Sequence, residues 1–120
     1  MAGEVSQLLG RWRAAVDTYR GRPALRWHDG ERWASVSYLD LDDRIRAAQA
    51  GLRAAGVGDG DRVAIVSHTR LEAVVLELAV TLAGAVSVPV YPTSLARQLA
   101  LILNDCEATL VVAENRGQLC

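Results

Sequence analysis

The run GDRVAIVSHTRLEAVVLELAVTLAGAVSVPVYPT, residues 60–93, decides the fold of this chain. Val63 to Val66 is a short, continuous, β-rich apolar run, as expected of a strand buried on both faces. Thr69 and Glu72 stand at capping-box spacing. Behind them Leu71, Val74, Val75, Leu78 and Leu82 recur at helical intervals, and Gly84 marks the stop. Ala85 to Val90 makes a second strand. Strand, helix, strand in that order is the crossover unit of a parallel sheet. Pro89 has no N–H for a ladder, so it belongs at a sheet edge or near the strand's exit.

Working outward, Ser94 is placed to cap a further helix through Leu95, Leu99, Ile102 and Leu103, closing at Asn104-Asp105, and Thr109 to Ala113 gives a third strand. Upstream, Val5, Leu8, Leu9, Trp12, Val16 and Tyr19 share one face of a helix over residues 4–20, ended by Gly21 and Pro23. ALRWH and ERWASVS flank Asp29-Gly30 as a hairpin over residues 24–36 with a two-residue turn. Ser37 and Asp40 form a second capping pair ahead of the stripe Leu41, Ile45, Ala48, Leu52 and Ala55, which Gly56 stops with Val57 in apolar contact. The expected fold is α/β: an N-terminal helix and β-hairpin followed by a right-handed βαβαβ parallel layer. The expected organisation is a leading helix at 1–21, hairpin plus helix at 22–56, and the parallel layer at 57–120.

The 120 residues are 51% hydrophobic and 22% charged with a formal net charge of −1, which is globular composition sufficient for one small domain. That charge balance gives no electrostatic reason to expect nucleic acid or an anionic membrane as partner. All 13 basic residues are arginine. Chemistry that needs an ammonium group must therefore come from elsewhere. Cys106 and Cys120 have no metal-ligand spacing and read as free thiols. The N-terminal MAGEVSQLLGRWRAAVD lacks the pattern of a signal peptide. The most apolar run, Leu78 to Val90, is too short for a transmembrane segment. Cytoplasmic location is expected, with peripheral membrane contact open.

Several residues invite a functional reading. Gly56-Val57-Gly58-Asp59-Gly60 has the look of a phosphate loop, but those glycines follow a helix and precede a strand, the reverse of a dinucleotide fingerprint. A helix stop and turn explains them. Ser67 and His68 lie at the carboxyl end of a strand, the usual ligand side. Neighbours in extended chain point apart, however, so a loop or capping role is expected rather than a nucleophile and base. His28 reads as a solvated hairpin residue. Asp40, Asp42 and Asp43 complement a helix dipole. Glu72 and Glu77 read as a cap and a polar-face residue, and Trp12, Trp27 and Trp33 as packing residues. The stiff loop Tyr91-Pro92-Thr93-Ser94 leaves a strand's carboxyl end ahead of a helix, which suits the lining of a ligand passage. Tyr91, Thr93 and Ser94 are thus the candidate binding residues, with no catalytic and no metal-ligating residue assigned.

Across roughly a hundred residues, from about Arg22 onward, the chain resembles the N-terminal part of an acyl-adenylate-forming enzyme of the AMP-binding superfamily, closest to long-chain fatty acid–CoA ligases. SYLDLDDRI at 37–45 resembles the family's (T/S)-Y-x-E-L helix entry, with Asp40 in the glutamate's place. LRAAGVGDGDRVAIVS at 52–67 resembles L-x-x-x-G-V-x-x-G-D-R-V-A-I. SHTRLE at 67–72 resembles S-x-N-R-x-E, with Thr69 replacing asparagine. LAGAVSVPVYPTS at 82–94 and ILNDCEATLVVAE at 102–114 resemble the A-G-A-V-x-V-P-x-Y-P-T-S and I-L-N-D-S-x-A words, and Tyr-Pro-Thr favours the long-chain branch.

The resemblance implies a two-step ligase. A fatty acid carboxylate attacks ATP, with magnesium, to give an acyl-adenylate and pyrophosphate, and the thiol of coenzyme A then displaces AMP. In such enzymes the chemistry belongs to a lysine-containing Ser/Thr/Gly-rich loop, later acidic and arginine residues, and a lysine of a mobile C-terminal domain. None of these motifs occurs in the 120 residues. The resemblance therefore implies an incomplete part of the large N-terminal domain, inactive alone, with the 91–94 loop near the acyl and coenzyme A passage. Two alternatives are a stand-alone α/β nucleotide- or coenzyme A-binding module without catalysis, and an interaction fragment that pairs with a separately encoded remainder.

Overall fold

The structure, a computed structural model, describes residues 2–68, 70–90 and 96–113. The chain runs α1 (Ala2–Tyr19), β1 (Pro23–His28), β2 (Trp33–Ser37), α2 (Tyr38–Ala54), β3 (Arg62–Val66), α3 (Leu71–Leu82), β4 (Val86–Val90), α4 (Ala96–Cys106) and β5 (Leu110–Ala113). Strands β1 and β2 pair antiparallel. Strands β4, β3 and β5 form a parallel sheet in that order, with β3 central. The three strands expected from the sequence therefore lie side by side pointing the same way. Pro89 sits on β4, beside one rim of this sheet, opposite Ile65 and one residue from the strand's end.

Alternation along β3 creates two cores. Val63 and Ile65 point to a layer built from α2 and α3, where Leu41, Ile45, Leu52, Val75, Ala79 and Val80 are buried. Ala64 and Val66 point to the other face, joined by Val90, with Leu103 of α4 packed against them. Helix α3 is apolar around most of its circumference because α2 lies on one side and the sheet on another. The stripe read from the sequence thus omitted Ala79 and Val80, which are both 0% exposed.

Helix ends follow a common device. Val57 N–H donates to Leu52 O and Gly56 N–H to Arg53 O, with Gly56 left-handed at φ +89°. Ala85 N–H and Gly84 N–H repeat the pattern on Val80 O and Thr81 O, with Gly84 at φ +87°. Helix α4 runs past the expected Asn104-Asp105 to Cys106, and Glu107 takes the left-handed position at φ +53°. Arg62 secures that stop, its guanidinium donating to Cys106 O at 2.9 Å.

At its start, α2 has Ser37 Oγ accepting Asp40 N–H at 3.1 Å. Tyr38 N–H and Leu39 N–H donate to Arg22 O and Arg20 O at the end of α1. The first-turn donors are thereby satisfied by one side chain and the preceding chain reversal.

Several expectations are corrected. The hairpin turn centres on Gly30-Glu31 rather than Asp29-Gly30: Asp29 Oδ1 accepts Glu31 N–H and Arg32 N–H at 3.0 and 2.9 Å, and within the turn Gly30 alone is left-handed. Trp33 does not pack in the core. It is 71% exposed, edge-on to His28, because it lies on the opposite hairpin face from Trp27. Asp42 is more than a dipole partner. It is 7% exposed and accepts Trp12 Nε1–H and Arg46 Nε–H, each at 2.8 Å, with Arg13 at 3.8 Å, so it pins α1 to α2. Ile102, one of the apolar residues through which α4 was read, is 36% exposed. Arg70 holds the N-cap position of α3, while Thr69, expected there, lies outside the described residues.

Three variants check this account. Gly84→Ala places a Cβ against Asp59 Oδ1 at a left-handed position and should lower stability by about 2–3 kcal/mol in urea unfolding. Gly51→Ala, in helix α2 with open space around it, should raise stability by about 0.5–1 kcal/mol. Asp42→Ala strands the Trp12 indole N–H and should cost about 1–3 kcal/mol in the same assay.

Candidate functional site

In open α/β sheets ligands gather beyond the carboxyl ends of the strands. Here that rim carries a cavity of about 250 Å³ bounded by Ile65 and Ser67 of the β3 exit, Val112 and Ala113 of β5, and Arg70 and Leu76 on the α3 side. The candidate residues Tyr91, Thr93 and Ser94 lie outside the described residues. Val90, opposite Val66, brings the strand that precedes them to the same rim.

Ser67 Oγ donates to the carbonyl oxygen of His68 at 2.8 Å. That bond locks the strand exit and matches the loop role expected for Ser67. Arg70 Nε donates to Glu72 Oε2 at 2.8 Å across the start of α3. The Arg70 guanidinium first, the residue's own backbone N–H next, and the Arg44 charge as well hold the Glu72 carboxyl below the usual glutamate value. Glu72 is thus one half of an ion pair as well as a first-turn acid. On the hairpin, Asp29 is held below the usual aspartate value by the N–H groups of Arg32 and Glu31.

The sequence reads His28 as a solvated hairpin residue and His68 as having a loop or capping role. The structure brings them to one groove with Arg26 and Arg70. The alternation of β1, which places Arg26 and His28 on one face, was the available signal. The approach of the α3 entry was not visible in the sequence.

The glycine-rich turn is occupied by the protein itself. Gly58 N–H donates to Asp61 Oδ2 at 2.7 Å, Asp61 N–H returns to Gly58 O, and Gly60 N–H donates to Gly84 O at 3.0 Å. With Gly56 and Val57 N–H groups committed to the α2 stop, a carboxylate and carbonyls fill the places that phosphate oxygens would take. That turn therefore leaves Gly56, Val57, Gly58 and Gly60 N–H groups engaged within the protein rather than free for a phosphate. Among the described residues no group of three or more His, Cys, Asp or Glu could hold a metal ion. No helix among the described residues is long and apolar enough to cross a membrane.

The family described as AMP-binding enzyme matches residues 12–119. FadD15 of Mycobacterium bovis, named a long-chain-fatty-acid–CoA ligase, is 45% identical over 82 residues, which are 68% of this chain and 14% of FadD15. Among solved structures, one described as a long-chain-fatty-acid CoA ligase from Rhodopseudomonas palustris superposes with a TM-score of 0.81 at 32% identity, covering 93% of this chain and 28% of that chain. A fatty acid AMP ligase from Legionella pneumophila gives a TM-score of 0.81 at 23% identity, over 88% of this chain and 19% of that chain. At that identity the likeness carries the fold alone.

The Arg70–Glu72 pair makes a pH prediction. A carboxyl lowered on folding adds stability that is complete above the unfolded value near 4.5 and is lost as pH falls through the folded value. Glu72→Gln should remove that component, so the stability difference from the native chain shrinks below pH 4.5. Because the pair is exposed the effect is small, well under that of Asp42→Ala. Urea midpoints measured across the acid range check it.

Proposed function

This chain belongs to the AMP-binding enzyme family, and from that premise we propose that it supplies the N-terminal scaffold of an ATP-dependent long-chain fatty acid–CoA ligase. The reaction would join a fatty acid to coenzyme A, with ATP cleaved to AMP and pyrophosphate. The observation that carries this reading is the 45% identity to FadD15 over 82 residues. The activity, its fatty acid and coenzyme A substrates, and the use of ATP and magnesium belong to this proposal, as do the cytoplasmic location and any peripheral membrane contact.

What these residues contribute is position. The parallel sheet fixes the rim at which β4 ends with Val90, and the segment 91–94 that follows in the sequence is the one we assign to the acyl and coenzyme A passage. No residue of the chain is given a catalytic role. The absence of lysine from all 120 residues denies it the ammonium groups that the resemblance assigns to the phosphate loop and the mobile domain. The 120 residues alone are accordingly read as inactive.

Two assays test the proposal with ATP, magnesium, palmitate and coenzyme A. The 120-residue chain alone should form no palmitoyl-CoA. A chimera in which this chain replaces the matching stretch of FadD15 should form it within about tenfold of the FadD15 rate. Thioester formation by the isolated chain would overturn the scaffold reading, and a folded but inactive chimera would overturn the assignment to this ligase class.

A further inference from the structure

We propose that the outer edge of β5 is a pairing surface for a second copy of this chain, joining two parallel layers into one continuous sheet. The proposal does not use the ligase reading. It rests on a difference between the two edges of the sheet.

The strand order β4-β3-β5 leaves one side of β4 and one side of β5 without a strand among the described residues. Val86 N–H donates to Asp61 O. Backbone groups of successive residues point to opposite sides, so Val86, Val88 and Val90 turn toward β3 while Ser87 and Pro89 turn outward. Pro89 thus removes a donor from the free side of β4, a device that blocks strand addition. By the same alternation Arg62 and Ala64 turn toward β5, and Arg62 O accepts Thr109 N–H. Ala64 stands opposite Val111, which turns the N–H and C=O groups of Val111 and Ala113 away from the sheet. No charge, proline or bulge blunts this edge. Leu110, Val111, Val112 and Ala113 pair with β3 in unbroken register and are all half-buried.

The occupant must be a short apolar strand whose own outward groups stand two residues apart, and β5 of another copy meets that description. Antiparallel pairing about a two-fold axis at Val112 sets Val111 opposite the second copy's Ala113, and the reverse, each pair exchanging N–H and C=O bonds. Val112 then faces its own counterpart across the axis. That contact lies next to the cavity of about 250 Å³ that Val112 and Ala113 help to line. A net charge of −1 puts little repulsion between copies. The dimer is closed, because its outermost strands are the β4 edges that Pro89 blocks.

Sedimentation equilibrium of the 120-residue chain tests this. The chain should be dimeric at about 100 µM and dissociate on dilution, as small interfaces do. Ala113→Pro removes an outward donor from each copy and should weaken the dimer about tenfold, with its fold checked by circular dichroism. Should Ala113→Pro not fold, Val112→Cys in a Cys106→Ser, Cys120→Ser background gives an independent readout. Mild oxidation should cross-link that variant and leave the matching Val88→Cys variant of β4 uncross-linked. A chain that is monomeric at that concentration, including one that accepts an added apolar peptide strand in place of its own copy, would overturn the proposal. So would open-ended aggregation, an unchanged dimer in folded Ala113→Pro, or equal cross-linking at the two cysteines.

Discussion

Strand β3 must be covered on both of its faces, and the arrangement of the other elements answers that requirement. Val63, Ala64, Ile65 and Val66 are 0, 0, 3 and 2% exposed, and each large side chain among them contributes about 1.5–3 kcal/mol when fully buried. Because successive residues point to opposite faces, no single layer can cover all four. A parallel neighbour can be reached only by a crossover, so adding β4 and β5 beside β3 places helices against the sheet. Helices α2 and α3 cover Val63 and Ile65, and α4 covers Ala64 and Val66.

The crossovers work only if each helix ends abruptly and the chain turns back toward the sheet. Three left-handed residues, Gly56, Gly84 and Glu107, perform this reversal with the same pair of backbone bonds. At Gly84 the conformation and the space both demand glycine, since Asp59 lies where a Cβ would project. At Glu107 the left-handed cost falls on an ordinary residue, and Arg62 binds both the last helical carbonyl and the Glu107 carboxylate, the latter at 3.5 Å. The bond from Gly60 N–H to Gly84 O then joins two of these turns at the amino end of the sheet. A glycine-rich loop committed in this way has its donors turned inward.

Much of this was legible in the sequence because the signals are short-range. The apolar run at Val63 to Val66, the glycines after two helices, Ser37 ahead of α2 and Pro89 beside a sheet rim all act within a few residues. What escaped depends on contacts between distant elements. Asp40, Asp42 and Asp43 look alike at a helix start, and only the approach of Trp12 from α1 distinguishes Asp42. Trp27 and Trp33 look alike in a hairpin, and only the side on which the core lies half-buries one and exposes the other. The groove at His28 and His68 escaped for the same reason, since its two walls are some forty residues apart in the chain. The loop read as the binding candidate, with Tyr91, Thr93 and Ser94, lies outside the described residues.

The words that carry the family resemblance turn out to perform structural tasks. In SYLDL, Ser37 accepts the Asp40 N–H and Leu41 is buried at 2% exposure. In GVGDGDRVAI, Gly56 reverses the chain, Asp61 closes the turn on Gly58, and the last residues are the central strand. In AGAV, Gly84 repeats the reversal, and in NDCEA, Glu107 does so again. A run of helix stops at fixed intervals constrains residue identity tightly, because few residues tolerate a positive φ and fewer still fit against a neighbouring carboxylate. That is why such words can identify a family while naming none of its reacting groups. Arg13 and Arg62 reach a carboxylate and a carbonyl on another element, while Arg46 and Arg70 pair with carboxylates on or beside their own helix; a planar multi-donor group suits such contacts better than an ammonium.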